Sequence, residues 1–94
     1  SSASIIHEKL QRKLKINANE ALIAYCSYIV NSIRAGQSGL EIKENAPNVL
    51  SEKDVMIGVP ETLRNITFSA RIDEKATRRI ELDGPIPTRS YVLT

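Results

Sequence analysis

Apolar residues return at helical spacing through the first half of the chain and at strand spacing through the second. Ile6, Leu10 and Leu14 recur at i, i+4 and i+8, Lys9, Arg12 and Lys13 fall elsewhere, and Ser4 can cap the start. This spacing predicts a helix over 4–14. Its late cations suit the negative end of a helix dipole and read as a solvated face rather than an anion-binding one. A longer helix is predicted over about 18–35, capped by Asn17 or Asn19 and ended by Gly36. Leu22, Cys26, Ile29 and Ile33 form its stripe, widened by Ile23 and Val30. The run from Ala21 to Val30 is apolar around much of its circumference. Such a helix must be covered on more than one side, by the first helix, the later strands or another chain. Tyr25 and Tyr28 fall toward its edges, with hydroxyls directed at solvent or a partner.

Ser38 opens a short third helix with Leu40 and Ile42 as its apolar positions, and Pro47 ends it by disfavouring helix at the residue before. Leu50-Ser51-Glu52-Lys53-Asp54-Val55-Met56-Ile57-Gly58-Val59-Pro60-Glu61 then packs a start, a stop and a restart into one segment. Ser51 and Asp54 have capping-box spacing. Gly58 suits a left-handed helix end, and Pro60 the first position of a new turn. A fourth helix from Ser51 to Gly58 is therefore expected, with Val55 and Met56 inward, followed by a turn carrying Leu63.

From Asn65 the period becomes two. Ile66, Phe68, Ala70 and Ile72 alternate with polar residues, as do Ile80 and Leu82, and the simplest connection through Asp73 to Thr77 is an antiparallel hairpin. Gly84-Pro85-Ile86-Pro87 stops the second strand, since neither proline can donate to a ladder. Tyr91-Val92-Leu93 can add a short strand, here or on a neighbour. Helices followed by strands make an α+β fold: a small bundle of four to five helices, then a C-terminal hairpin. A lone hairpin is marginal in water, so this one needs helices or a partner against it.

The 94 residues are read as one domain, 1–94, with 88–94 as a tail. Ser1-Ser2-Ala3 reads equally as native sequence or as residues added for expression. A chain this size buries roughly 60–65% of its unfolded surface, so a partner can add materially to its core. With 41% hydrophobic and 26% charged residues the composition is globular rather than disordered. The net charge of +2 and the sparse aromatics (Tyr25, Tyr28, Phe68, Tyr91) argue against nucleic acid as a partner. No stretch approaches the roughly 20 apolar residues of a membrane span, and the N-terminus lacks the apolar core of a signal peptide. A soluble, cytoplasmic protein is expected.

Chemistry is thin. His7 is the only histidine and Cys26 the only cysteine. Neither an internal disulfide nor a multi-cysteine zinc site is available, and Cys26 in its apolar run reads as a small buried hydrophobe. One imidazole cannot hold zinc or nickel alone. Ser27, Ser32 and Ser38 have no histidine in register, and Arg34 to Gly39 lacks the Gly-Lys-Ser/Thr ending of a phosphate loop. Glu41 with Glu44, and Asp73 with Glu74, sit in polar segments, where separate burial of an acid and a base is not expected. Arg78-Arg79, beside Glu81 and Asp83, reads as the polar face of a sheet or as a recognition strip. No catalytic, cofactor or metal residue is therefore assigned.

Val55-Met56-Ile57-Gly58-Val59-Pro60-Glu61 resembles the Val-Met-x-Gly-Val-Pro-Glu segment typical of the gamma subunit of microbial urease. Other blocks follow in family order. Leu14-Lys15-Ile16-Asn17 with Glu20-Ala21-Leu22-Ile23-Ala24 is similar to "LKLN…EAVALI". Arg34-Ala35-Gly36-Gln37-Ser38 matches Ala-Arg-x-Gly-Lys-Thr, Ile66-Thr67-Phe68-Ser69-Ala70 matches "IQVEA", and Gly84-Pro85-Ile86 falls near "HNPI". The likeness spans roughly 14–86. The departures are a shorter stretch before Leu14, loss of the Gly that usually precedes Leu-Lys-Leu-Asn, Asp73 to Ala76 in place of a Pro-Asp-Gly turn, and Asp83 in place of the His of "HNPI". The chain is thus identified as a divergent member.

The resemblance implies a non-catalytic structural subunit of a urease complex, a hydrolase of urea catabolism that forms ammonia and carbamate. The nickel centre is expected on the alpha subunit, with no cofactor in this chain. The implied partners are the alpha and beta subunits and further copies about a three-fold axis. The expected interface elements are the helix around Ala21 to Ile33, the Val55 to Pro60 turn and the hairpin around Ile66 to Leu82. Tyr25, Val55, Val59, Pro60 and Phe68 are the candidate contacts. The alternative is a stand-alone, homo-oligomeric interaction module that keeps the fold without urease function.

Overall fold

A computed structural model describes residues 2–89. Four helices, α1 (Ser2–Gln11), α2 (Ala18–Arg34), α3 (Gly39–Asn45) and α4 (Val59–Thr62), precede two strands, β1 (Asn65–Arg71) and β2 (Thr77–Asp83). Two 3-10 turns, Ala46–Asn48 and Glu52–Asp54, lie between α3 and α4. The architecture is the α+β arrangement expected from the switch of period at Asn65. The predicted strand at Tyr91-Val92-Leu93 lies outside the described residues.

Asn17 rather than Asn19 caps α2. Its side-chain oxygen accepts from the Glu20 N–H at 2.8 Å, and the Glu20 carboxylate accepts from the Asn17 N–H at 3.0 Å. Ser38 and Glu41 make the same reciprocal pair at the start of α3. The Lys9 ammonium also reaches the Glu20 carboxylate, tying α1 to the start of α2.

The ends of α1 and α2 share one geometry. After α2, the Gly36 N–H donates to the Ile33 carbonyl and the Gln37 N–H to the Ser32 carbonyl, both at 3.0 Å, with Gly36 left-handed at φ 81°. After α1, the Lys13 N–H donates to the Leu10 carbonyl at 3.1 Å and the Leu14 N–H to the Lys9 carbonyl at 2.9 Å. Lys13 is left-handed at φ 60°. These are Schellman ends, one made with glycine and one with lysine. The second corrects the sequence reading, since α1 stops at Gln11 instead of running to Leu14, and Leu14 is exposed.

The inward face of α2 is also corrected. Ile29 is buried as predicted, but Ala21, Tyr25 and Ser32 are buried in place of Leu22, Cys26 and Ile33, each one residue or about 100° away. Cys26 is exposed, not a buried hydrophobe. Tyr25, expected at an edge with its hydroxyl outward, is fully buried. It can be buried because its hydroxyl finds acceptors inside: the Pro85 carbonyl at 2.9 Å and the Ala46 carbonyl at 3.2 Å. Tyr28 packs edge-on against it, and its own hydroxyl donates to the Ile42 carbonyl at 2.6 Å. An apolar helix of this kind lets tertiary partners choose the face, and polar satisfaction decided for Tyr25.

The Ser51–Gly58 helix does not form. Only Glu52–Asp54 turns, as a single 3-10 turn with the Asp54 carboxylate accepting from the Ser51 N–H at 2.8 Å. Val55 is extended and bridges in parallel to Ile16: the Ile16 N–H donates to the Asp54 carbonyl and the Met56 N–H to the Ile16 carbonyl. Val55 is inward as expected, whereas Met56 is exposed. Gly58 is left-handed as expected, but it caps the start of α4 instead of ending a helix. The two main-chain bonds that Ile16 makes to Asp54 and Met56 hold the β-branched Val55 between them in the extended form.

The hairpin pairs Ile66 with Leu82, Phe68 with Ile80 and Ala70 with Arg78. Its turn lacks Asn-Gly, and the Asp73 carboxylate does that work by accepting from the Lys75 and Ala76 N–H groups at 2.7 and 2.9 Å. The core gathers Ile16, Tyr25, Ile29, Ile42, Leu50 and Leu82 between α2, α3 and the base of the hairpin.

Candidate functional site

The side chains that could carry chemistry are dispersed or structurally committed. His7 is exposed on α1. Among the described residues no three His, Cys, Asp or Glu side chains converge to hold a metal ion. Glu41 is spent on the Ser38 cap, and the hydrogen bond from the Ser38 N–H holds its carboxyl below the usual carboxylate range. Glu20 is held low mainly by the hydrogen bond from Lys9, then by that from Asn17. Asp73 closes the hairpin turn. The Arg78 guanidinium donates to the Gln37 carbonyl at 3.2 Å, fastening β2 to the α2–α3 connection. Burial pushes the Tyr25 hydroxyl well above the usual phenol range, so it remains a neutral donor. Glu20, Glu41, Asp73, Arg78 and Tyr25 each bond backbone groups, the commitment of structural side chains rather than of an acid, base or nucleophile.

What the fold does present is apolar surface. Leu22, Ile23 and Val30 stand exposed along the outer side of α2. Where the inner face of the hairpin runs past the C-terminal half of α2, the two do not close. A cleft of about 620 Å³ remains, with Cys26, Val30, Ile33, Phe68 and Ile72 on its walls and Arg34 and Arg71 beside them. Burial fades along this face of β1, from Ile66 at 7% exposed to Ile72 at 53%.

The residues named from sequence divide between core and surface. Tyr25, Val55, Val59 and Pro60 are buried in this chain's own structure, and Phe68 is half-buried at the cleft. They do not form one patch. Sequence reasoning missed Leu22, Ile23 and Val30 as an exposed flank, and Cys26 as a cleft residue. The available signal was the all-round apolarity of α2, which exceeds what one buried face requires.

Comparison with known proteins agrees with this arrangement of helices and hairpin. The sequence model of the family described as "Urease, gamma subunit" matches residues 1–86. The urease subunit gamma of Halalkalibacterium halodurans is 35% identical over 85 residues, covering 90% of this chain and 84% of that protein. The chain, with its cleft-bearing α2 and C-terminal hairpin, belongs to the urease gamma subunit family.

Proposed function

We propose that this chain is a non-catalytic structural subunit of a urease-type complex, in which urea is hydrolysed to ammonia and carbamate on a separate alpha subunit. Nickel is assigned to that alpha subunit. Among the described residues the donors do not gather into a metal site, and we assign no step of the chemistry to this chain. The observation that carries the reading is the exposed apolar flank of α2, continuous with the open cleft against β1 and found in a member of this family. On this reading the alpha subunit covers the α2–β1 face, and the beta subunit and further copies about a three-fold axis complete the assembly. No helix among the described residues is long and apolar enough to cross a membrane, and we place the complex in the cytoplasm.

Co-expression with the alpha and beta subunits of the same source, followed by native purification, nickel analysis and a urea hydrolysis assay, tests this. The expected product is a nickel-containing complex that retains this chain and releases ammonia from urea. Recovery of the chain by itself, as monomer or homo-oligomer without nickel, would instead support the stand-alone module and overturn the subunit reading.

A further inference from the structure

The wall that β1 gives to the α2–β1 cleft runs through Phe68, Ser69, Ala70, Arg71 and Ile72 without a gap. Neighbours in a strand point to opposite faces. Phe68, Ala70 and Ile72 belong to the inner face, Ser69 and Arg71 to the outer one, so a wall made of them all reaches round the edge of β1. That edge is unpaired. Among the described residues β1 has β2 as its one strand partner. The Gly84 N–H donates to the Arg64 carbonyl and the Ile72 N–H to the Ala76 carbonyl, and with Ile66 opposite Leu82 these bonds set the phase of the ladder. Even-numbered residues of β1 exchange bonds with β2, while Thr67, Ser69 and Arg71 turn their main-chain N–H and carbonyl groups outward. The far side of the hairpin is different: α3 packs against β2, and Arg78 is fastened to the Gln37 carbonyl.

Nothing blunts the β1 edge. Proteins defend such edges with lysine, proline, a bulge or a very short strand. β1 is seven residues long, pairs with β2 without a bulge, and holds neither lysine nor proline. The charge beside it has one sign. Arg34 and Arg71 border the cleft and no aspartate or glutamate does, although the whole chain is close to neutral at +2.

Given the subunit role proposed above, on which this rests, we propose that an extended segment of the alpha subunit adds to the β1 edge as a third strand. Alternate apolar side chains of the segment fill the cleft against Cys26, Val30 and Phe68, and one of its carboxylates meets Arg34. A strand added about 4.8 Å from β1 lies over the opening. Main-chain bonds to Thr67, Ser69 and Arg71 hold it, and the apolar walls select its side chains. The β1 strand of a second copy does not suit the site, because Asn65–Arg71 carries no acid and would bring a second Arg71 to two arginines.

Hydrogen exchange tests the proposal, read amide by amide in the free chain and in the complex co-expressed with the alpha and beta subunits of the same source. The Ser69 and Arg71 amides are expected to exchange at least about tenfold slower in the complex, while those of Phe68 and Ala70, bonded to β2, are protected in both. Unchanged exchange at Ser69 and Arg71 in a complex that retains the chain overturns the third strand and leaves the subunit role standing. Failure of the chain to enter the complex overturns both. Slowing in the free chain that grows with its concentration assigns the edge to a second copy and overturns the proposal too. Ser69→Pro and Ser69→Ala are the second measurement, since proline removes the outward N–H and is tolerated where that group faces away from the ladder. Ser69→Pro is expected to lower retention by the alpha subunit about tenfold and Ser69→Ala to leave it unchanged, with circular dichroism checking the fold of each. Equal retention of the two folded variants overturns the proposal.

Discussion

Replacing Lys13 with glycine is expected to stabilise the chain by about 0.5–1 kcal/mol, although Lys13 is exposed. The left-handed φ of 60° at Lys13 is imposed by the two hydrogen bonds that end α1. An L-residue with a Cβ pays about 1–2 kcal/mol for that conformation, whereas glycine adopts it freely. Glycine also loosens the unfolded chain, which offsets about 0.5–1 kcal/mol of the gain. The net of about 0.5–1 kcal/mol corresponds to a rise in Tm of roughly 3–6 °C for a domain of this size. Urea and thermal denaturation followed by far-UV circular dichroism measure it directly. Lys13→Ala is the control, because it removes the same charge and keeps the Cβ. It is expected within about 0.5 kcal/mol of the parent. Gly36→Ala is the mirror experiment at α2. Open space surrounds Gly36, so strain at φ 81° is its only cost, about 1 kcal/mol or somewhat more. If Lys13→Ala stabilised as much as Lys13→Gly, charge rather than backbone strain would be the cause and the reasoning would fail.

Tyr25→Phe removes the hydroxyl that joins Ala46 and Pro85, and a loss of about 1–2 kcal/mol is expected in urea denaturation; unchanged stability would mean those carbonyls are satisfied otherwise. Glu20 and Glu41 have carboxyls depressed below their ordinary 4.5. The stability they contribute is therefore present above pH 4.5 and lost as pH falls through their lower folded values. Glu20→Gln with Glu41→Gln should flatten the fall in Tm on acidification below about pH 4.5, and an unchanged acid limb would show that other groups drive it. Val30→Asp, on the exposed flank of α2, should change stability by no more than about 0.5 kcal/mol while reducing recovery of the chain with the alpha subunit on native purification. Full recovery would place the interface elsewhere.

Much of this fold is legible in the sequence wherever one physical rule acts alone. The period-two run from Ile66 has no rival reading, and it forms the hairpin. Asn17 and Ser38, each with a glutamate three residues on, cap helices as their spacing says. The reading faltered where two rules compete. Ser51, Asp54 and Gly58 satisfy a helix and also a single turn followed by an extended residue, and the deciding bonds come from Ile16, distant in sequence. The apolar run of α2 likewise leaves its inward face to the tertiary neighbours, so Cys26 and Tyr25 exchanged their expected places. Lys13 carries no signal of its own, because left-handed lysine follows from how α1 ends. The surface that faces a partner was the least legible part, since α2 announced an excess of apolar residues but not which of them would be left over.

The bond between the Tyr25 hydroxyl and the Pro85 carbonyl has a consequence for how the molecule is made. A ribosome delivers α2 with its phenol and its Ile29 flank long before the residues that complete them. Leu82, Pro85 and Ile86 seal that flank, and they lie near the end of the described chain. Long-range contacts of this kind give nothing until both ends are present. The helices therefore emerge as a sticky, half-finished bundle, and the core locks only after the hairpin has cleared the ribosome. Shortening the chain before Pro85 would not trim an appendage; it would leave the nascent protein permanently at that unfinished stage.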